Sequence, residues 1–221
     1  MDSGSVSNSE MSQGLDFLRI TNKYFGGSSV ILRYLKQFSK SWKNETIYIL
    51  DVGCGLGDIP LAVSHWARSL GYKVQITGID LMPQIVQMAK EHCAENLNIQ
   101  IKMANIFSEQ IQPQSYDYVT ASLFLHHADD TQIHAALKKF DSIAKRGIIL
   151  SDLSRSRTGY WAVQLTSHLL GNKMVRHDGP LSVRRAFTVL ELKKLIPESG
   201  IHYLEVKKEP FFRLSLAGEK L

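Results

Sequence analysis

From residue 46 onward the chain alternates between two apolar rhythms. Ile47-Tyr48-Ile49-Leu50-Asp51-Val52 is a nearly continuous apolar run, the mark of a strand buried on both faces. A glycine-rich turn follows, and Ile59, Ala62, Val63, Trp66, Ala67 and Leu70 then recur at helical spacing, which predicts an amphipathic helix. The alternation repeats with a strand over 74–79 ending at Asp80, a helix carrying the stripe Ile85, Met88, Ala89 and His92, and a third strand over 99–103. A fourth strand over 116–121 leads to Asp129-Asp130, a helix N-cap, with Ile133, Ala136, Leu137 and Phe140 turned inward. The fifth strand spans 147–151. Thr188-Val189-Leu190-Glu191 has capping-box spacing, and the helix it opens stops at Gly200. Two alternating runs, 202–208 and 211–217, separated by Glu209-Pro210, close the chain as a hairpin.

Strands alternating with helices place the chain in the α/β class. The expected architecture is a seven-stranded, mainly parallel sheet with helices on both faces and a C-terminal antiparallel hairpin. Residues 1–13, rich in serine and weakly acidic, read as a disordered tail. Helices over 15–25 and 28–42, joined at Gly26-Gly27, fall outside the repeat and read as an N-terminal helical cap over 14–45. The main domain runs over 46–221. Within it, 154–187 is an insertion with an aromatic helix and the segment Arg176-His177-Asp178-Gly179-Pro180, whose Asp-Gly-Pro reads as a turn.

At 221 residues and 44% hydrophobic, the chain can bury one good core. The net charge of +5 changes little, because the basic residues are scattered, with only short doublets such as Arg184-Arg185 and Lys207-Lys208. That pattern disfavours a nucleic-acid face. Cys54 and Cys93 stand alone, without a CxxC pair or metal-ligand spacing, so neither a zinc site nor a disulfide scaffold is expected and a reducing cytoplasm fits. The N-terminus lacks the apolar run of a signal peptide, and the lipophilic stretch at 160–170 is too short and too polar to span a bilayer.

The segment Leu50-Asp51-Val52-Gly53-Cys54-Gly55-Leu56-Gly57-Asp58 sits between a buried strand and an amphipathic helix. Its glycines permit positive φ and a close approach of backbone to a ligand. A dinucleotide fingerprint needs glycine three positions after Gly55, but Asp58 stands there and would face a pyrophosphate with a carboxylate. A GxxxxGK[ST] loop is also missing. D-x-G-x-G-x-G after the first strand resembles the cofactor loop of class I, Rossmann-like methyltransferases that use S-adenosylmethionine (SAM). The resemblance implies that Gly53, Gly55 and Gly57 wrap the methionine end of the cofactor and that Asp51 holds its amino group directly or through water. It further implies that Asp80 accepts from the ribose hydroxyls, Leu81 lies against the adenine, Asn105 and Ile106 meet the adenine edge, and Ser122 lies beside the methionine moiety. Asn105 departs from the aspartate common in that family, though an amide oxygen can still accept from the adenine amino group.

More narrowly, Phe124-Leu125-His126-His127 and 176–182 resemble small bacterial methyltransferases of type III polyketide and other secondary-metabolite pathways, which implies a phenolic or enolic oxygen acceptor. Enzymes directed at DNA bases or glutamine carry [DN]-P-P-[YF] after the fourth strand, and this chain has Ser122-Leu123-Phe124-Leu125-His126-His127 there. A hydroxyl acceptor needs a base that works near neutrality, which makes His126, His127 and His177 the candidates. Arg176, Arg184 and Arg185 are candidates for an acidic acceptor, and Tyr160, Trp161, Leu165 and Leu169, with Tyr24-Phe25, for the wall of an apolar pocket. Carbon methylation of a quinone or polyketide ring, or a non-catalytic SAM-binding regulator, are the alternatives.

Overall fold

The computed structural model describes residues 26–108, 111–170 and 173–220. The expected tail 1–13, the helix 15–25 and Tyr24-Phe25 lie outside these residues, as does the side chain of Leu169. Among the described residues the strands are β1 (Thr46–Val52), β2 (Lys73–Asp80), β3 (Ile99–Met103), β4 (Tyr116–Ser122), β5 (Ala144–Leu153), β6 (Glu205–Glu209) and β7 (Arg213–Glu219). Seven helices accompany them: α1 (Gly27–Phe38), α2 (Asp58–Ser69), α3 (Pro83–Cys93), α4 (Asp130–Ile143), α5 (Arg157–Leu170), α6 (Lys173–Arg185) and α7 (Val189–Glu198).

The sheet order is β3-β2-β1-β4-β5-β7-β6. The first five strands are parallel, while β7 runs antiparallel to β5 and to β6. From the edge strand β3 the chain returns across the sheet to β4, beside β1, so the winding reverses between the carboxyl ends of β1 and β4. Open α/β sheets bind their ligands in the crevice that such a reversal leaves.

Alternation along the strands divides the core in two. Leu50, Val52, Val119, Ala121, Ile148 and Leu150 face α4 and α7, where Ile133, Leu137, Phe140, Leu192 and Ile196 meet them. Ile47, Ile49, Ile76, Tyr118 and Ile149 face the other way, onto α1 and α2, including Ile31, Leu35, Val63 and Ala67. Burying each such aliphatic or aromatic side chain contributes roughly 1.5–3 kcal/mol. The second expected helix is thus a full layer of the sheet, pinned further by the Tyr34 and Ser215 hydroxyls, which share a hydrogen bond of 3.0 Å.

Both expected caps form: Asp129 accepts from the Gln132 amide, and Thr188 and Glu191 make a reciprocal capping box. Three expectations need correction. Leu70 is 58% exposed, because α2 ends at Ser69 and Gly71 turns the chain at φ +75°. The hairpin turns later than expected: Glu209 belongs to β6, and Phe211 and Phe212 make the turn, both at φ +57°. Asp178-Gly179-Pro180 is no turn, since all three lie inside α6. A Cβ on Gly179 would stand 3.1 Å from Val163 Cγ1, so glycine there lets α6 lie close against α5. That packing overrides a local turn preference.

Candidate active site

The loop between β1 and α2 places all three glycines in the left-handed region, Gly53 at φ +67°, Gly55 at +52° and Gly57 at +84°. Their surroundings differ. A Cβ on Gly57 would stand 2.5 Å from Cys93 Sγ, one on Gly53 would touch the Phe124 ring at 3.6 Å, and one on Gly55 would meet nothing within 4 Å. Gly57 therefore serves packing against α3, whereas the chain beside Gly55 borders open space. Asp80, at the end of β2, accepts from the Gly55 amide at 3.2 Å and from the Met82 amide at 3.1 Å, so it braces this loop from the neighbouring strand.

Asp51 lies under the loop, 1% exposed. One carboxylate oxygen accepts from the Thr120 hydroxyl at 2.7 Å, and the other is buried without a hydrogen-bond partner. Burial pushes the Asp51 carboxyl up to about 7; Thr120 opposes this, and the charges of Asp80 and Asp58 add to it. A buried acceptor without a donor, at the point where the winding reverses, suits a small cationic group, and the ammonium of a SAM methionine end is one. Among the other residues expected to hold cofactor, Leu81 is 64% exposed and Ile106 is buried. The Asn105 side-chain oxygen accepts from the Phe107 amide at 2.9 Å and so shapes its own turn. No group of three or more His, Cys, Asp or Glu among the described residues is arranged to hold a metal ion.

After β4 the chain turns sharply, with Leu123 at φ +56° and its amide donating to Ser151 O at 2.9 Å. A residue other than glycine held there costs of order 1 kcal/mol, and such strain gathers at functional sites. The turn carries Phe124 onto Gly53 and leads into a short 3₁₀ turn, Leu125–His127. Asp152 of β5 closes it from below. One Asp152 oxygen accepts from the Leu125 and His126 amides, and the other lies 2.7 Å from His126 Nδ1. Burial alone would raise the Asp152 carboxyl, but His126 and the Leu153 and Leu125 amides more than offset this and hold it below the usual carboxylate range. A carboxylate at Nδ1 selects the tautomer with its proton there, which leaves Nε2 as a proton acceptor. His126 is buried and its ring packs on His127, with centroids 4.2 Å apart. His127 is exposed on the outer side of the turn, and partial removal of water from its ring, then the charge of His126, lowers its pKa.

Ser122 is buried and accepts from Arg213 Nη1 at 3.4 Å, as Ser151 does at 3.3 Å. Arg213 is 1% exposed; burial lowers its pKa to about 10 against the pull of Asp152, which leaves a cation under the ends of β4 and β5. Asp152, Thr120 and Arg213 escaped the sequence reading. Arg213 left one trace there, a charged residue within the alternating apolar run that closes the chain.

The insertion behaves differently. His177 has a side chain 75% exposed and pairs with its neighbour Asp178 at 3.0 Å. α6 packs against the 3₁₀ turn, and Arg185 at the end of that helix adds a small electrostatic push on His127, after burial and His126. His177 is two turns back, about 12 Å along the axis. The fold thus stacks His126 on His127, on a turn whose Phe124 approaches Gly53, while the His177 side chain on α6 is exposed. Among the described residues, no helix is long and apolar enough to cross a membrane.

A family model described as a methyltransferase domain matches residues 49–147, which include the end of β1, the glycine loop, Asp80, β4 and the histidine pair. A demethylmenaquinone methyltransferase of Staphylococcus aureus (strain MRSA252) is 31% identical over 108 residues, 49% of this chain and 43% of that relative, so the match spans under half the relative's length. Among solved structures, human N-acetylserotonin methyltransferase in complex with SAM superposes with a TM-score of 0.68 at 19% identity, covering 97% of this chain and 56% of that one. The CurJ carbon methyltransferase superposes with a TM-score of 0.66 at 14% identity, over 87% of this chain and 53% of that one. At these identities the likeness is one of fold.

Proposed function

We propose that the chain is a class I, SAM-dependent methyltransferase that methylates a small molecule, at a phenolic or enolic oxygen. The observation that carries this reading is the buried His126–Asp152 pair, on a turn whose Phe124 packs against the glycine loop. An imidazole oriented by a carboxylate is the arrangement that takes a proton from a hydroxyl near neutrality. Bound SAM supplies an electrophilic methyl group on a sulfonium. Asp51 would hold its ammonium through the oxygen that has no partner, and Asp80 would serve the ribose hydroxyls. Gly53 and Gly55 would line the methionine end, with Gly57 holding the loop's shape through its packing on α3, and Leu81, Asn105, Ile106 and Ser122 would lie around the adenine and methionine.

The chain's own work is then alignment, exclusion of water and removal of one proton. Alignment carries much of the catalysis, because the reacting centres of a displacement must stand in line. His126 Nε2 accepts the acceptor's proton, Asp152 stabilises the imidazolium that results, and His127 packs on the His126 ring. His177 belongs to the expected set of bases, and its exposure argues for a place outside the reacting centre.

A second reading, carbon methylation of a quinone or polyketide ring, draws on the relative named for demethylmenaquinone and on the CurJ carbon methyltransferase. A SAM-dependent gain of mass across phenols, polyketides and quinones, with the product's new methyl located by NMR, separates the two. Binding of SAM without any transfer would leave a regulatory SAM-binding protein instead.

A further inference from the structure

We infer that the groove between the start of α5 and the end of α6 binds the anionic group of an aromatic ligand, the methyl acceptor in the reading above. The inference rests on that reading for the ligand's fate and on the groove alone for its chemistry. The groove is open to solvent, offers about 460 Å³ and is lined by Arg155, Ser156, Arg157, Tyr160, Trp161, Val183 and Arg184. That volume is within the ~300–1,000 Å³ of small-molecule sites.

Two features distinguish it from ordinary surface. The first is an aromatic corner. Trp161 and Tyr160 meet nearly edge to face, centroids 5.5 Å apart and planes at 81°, and Trp161 is 68% exposed. Trp42 and Trp66 are both buried in the core, so Trp161 is the one tryptophan presented to a ligand.

The second feature is charge. Arg155 is committed to Glu191, beside the capping box that opens α7. Among the described residues, no ion pair occupies Arg157 or Arg184. Arg157 lies one turn before Trp161 on α5, hence on the same face of that helix. Arg184 comes from α6 across the groove. A guanidinium fork pairs with both oxygens of a carboxylate or phosphate, and aromatic faces take a planar ring, so the lining asks for both in one molecule. The helix that carries Arg184, α6, packs against the 3₁₀ turn of His126 and His127.

Three probes test this by calorimetry without SAM: 2-naphthyl phosphate, 2-naphthoate and neutral 2-naphthol. The anionic probes are expected to bind at least tenfold more tightly than 2-naphthol, and the stronger of the two identifies the anion as phosphate or carboxylate. Arg157→Gln combined with Arg184→Gln is expected to lower the affinity of the preferred anion by tenfold or more and that of 2-naphthol by less than threefold. Trp161→Ala is expected to weaken all three. Equal affinity for 2-naphthol and the anions, an unchanged anion affinity in the double variant, or no binding of either anion at millimolar concentration would overturn the assignment. SAM affinity, measured in parallel, is expected to stay within twofold and certifies the fold of each variant. No methyl transfer enters this readout, so an empty groove and a mistaken acceptor chemistry are separate results.

Discussion

His126 and Asp152 face each other across the ends of β4 and β5, with Nδ1 and Oδ1 2.7 Å apart and both side chains at most 5% exposed. The second oxygen of Asp152 is engaged by backbone amides, which leaves the carboxylate little freedom to turn away. If the pair removes the acceptor's proton, His126→Ala is expected to lower kcat by roughly 10²–10⁴-fold and leave SAM affinity nearly unchanged. Asp152→Asn is expected to cost kcat about 10–10³-fold with KM little altered, because the imidazole loses its orienting partner and not its contact with the acceptor. The double variant should be no slower than His126→Ala, since residues acting as one unit are not additive. Additive losses, measured by steady-state kinetics on the acceptor that a screen provides, would separate Asp152 from the proton transfer.

Asp51 places function against stability. Its carboxyl titrates at about 7 in the fold against an ordinary 3.8. A raised acid favours the folded state while protonated, so this contribution is complete below about pH 4 and is lost as pH climbs to about 7. The shift corresponds to about 4 kcal/mol as an upper figure. Without ligand, Asp51→Asn is expected to melt several degrees higher than wild type at pH 8, with the gap narrowing at pH 5. The same change should weaken SAM binding by tenfold or more, because the ammonium loses its charged acceptor. Equal melting temperatures at pH 8 would show that burial does not burden this carboxylate.

Asp80 braces the Gly55 amide as well as the place expected for the ribose. Asp80→Ala is expected to weaken SAM binding by about 1–3 kcal/mol by calorimetry. Asp80→Asn retains an oxygen for the Gly55 amide and should lose less. An alanine variant with wild-type affinity would move the ribose elsewhere.

Gly57 and Gly55 separate packing from ligand space. Gly57→Ala combines a left-handed φ with a 2.5 Å approach to Cys93 Sγ, for an expected loss of about 2–4 kcal/mol in chemical denaturation. Cys93→Ala in that background should recover about 1–3 kcal/mol of it by removing the clash. Gly55→Ala meets no atom of the protein, so its stability loss should be limited to about 1–2 kcal/mol of backbone strain. Its SAM affinity, in contrast, should fall severalfold, because the new methyl enters the space kept for the cofactor. No recovery from Cys93→Ala would place the strain of Gly57 wholly in its backbone.

The alternation of strands and helices, the class of the sheet and the glycine loop were all legible in one dimension, because each depends on neighbours within a few residues. Period-2 and period-3.6 patterns report which side of a local element meets the core, and D-x-G-x-G-x-G reports a backbone that must take positive φ. The capping residues Asp129 and Thr188 were legible for the same reason. What tertiary structure alone decided lies between distant segments. Thr120 satisfies half of Asp51 from 69 residues away, Asp152 meets His126 from 26, and Arg213 reaches Ser122 from 91. No local pattern announces such partners, since sheet order chooses them. Asp178-Gly179-Pro180 was read as a turn on local chemistry and became helix because Gly179 lets two helices touch. His177 looked equal to His126 in sequence, and only packing made one buried and partnered and the other open to water. Residue types along the chain determined which chemistry the protein can hold, while the sheet's winding decided which residues share the crevice, because burial and charge depend on what stands next to a side chain in space.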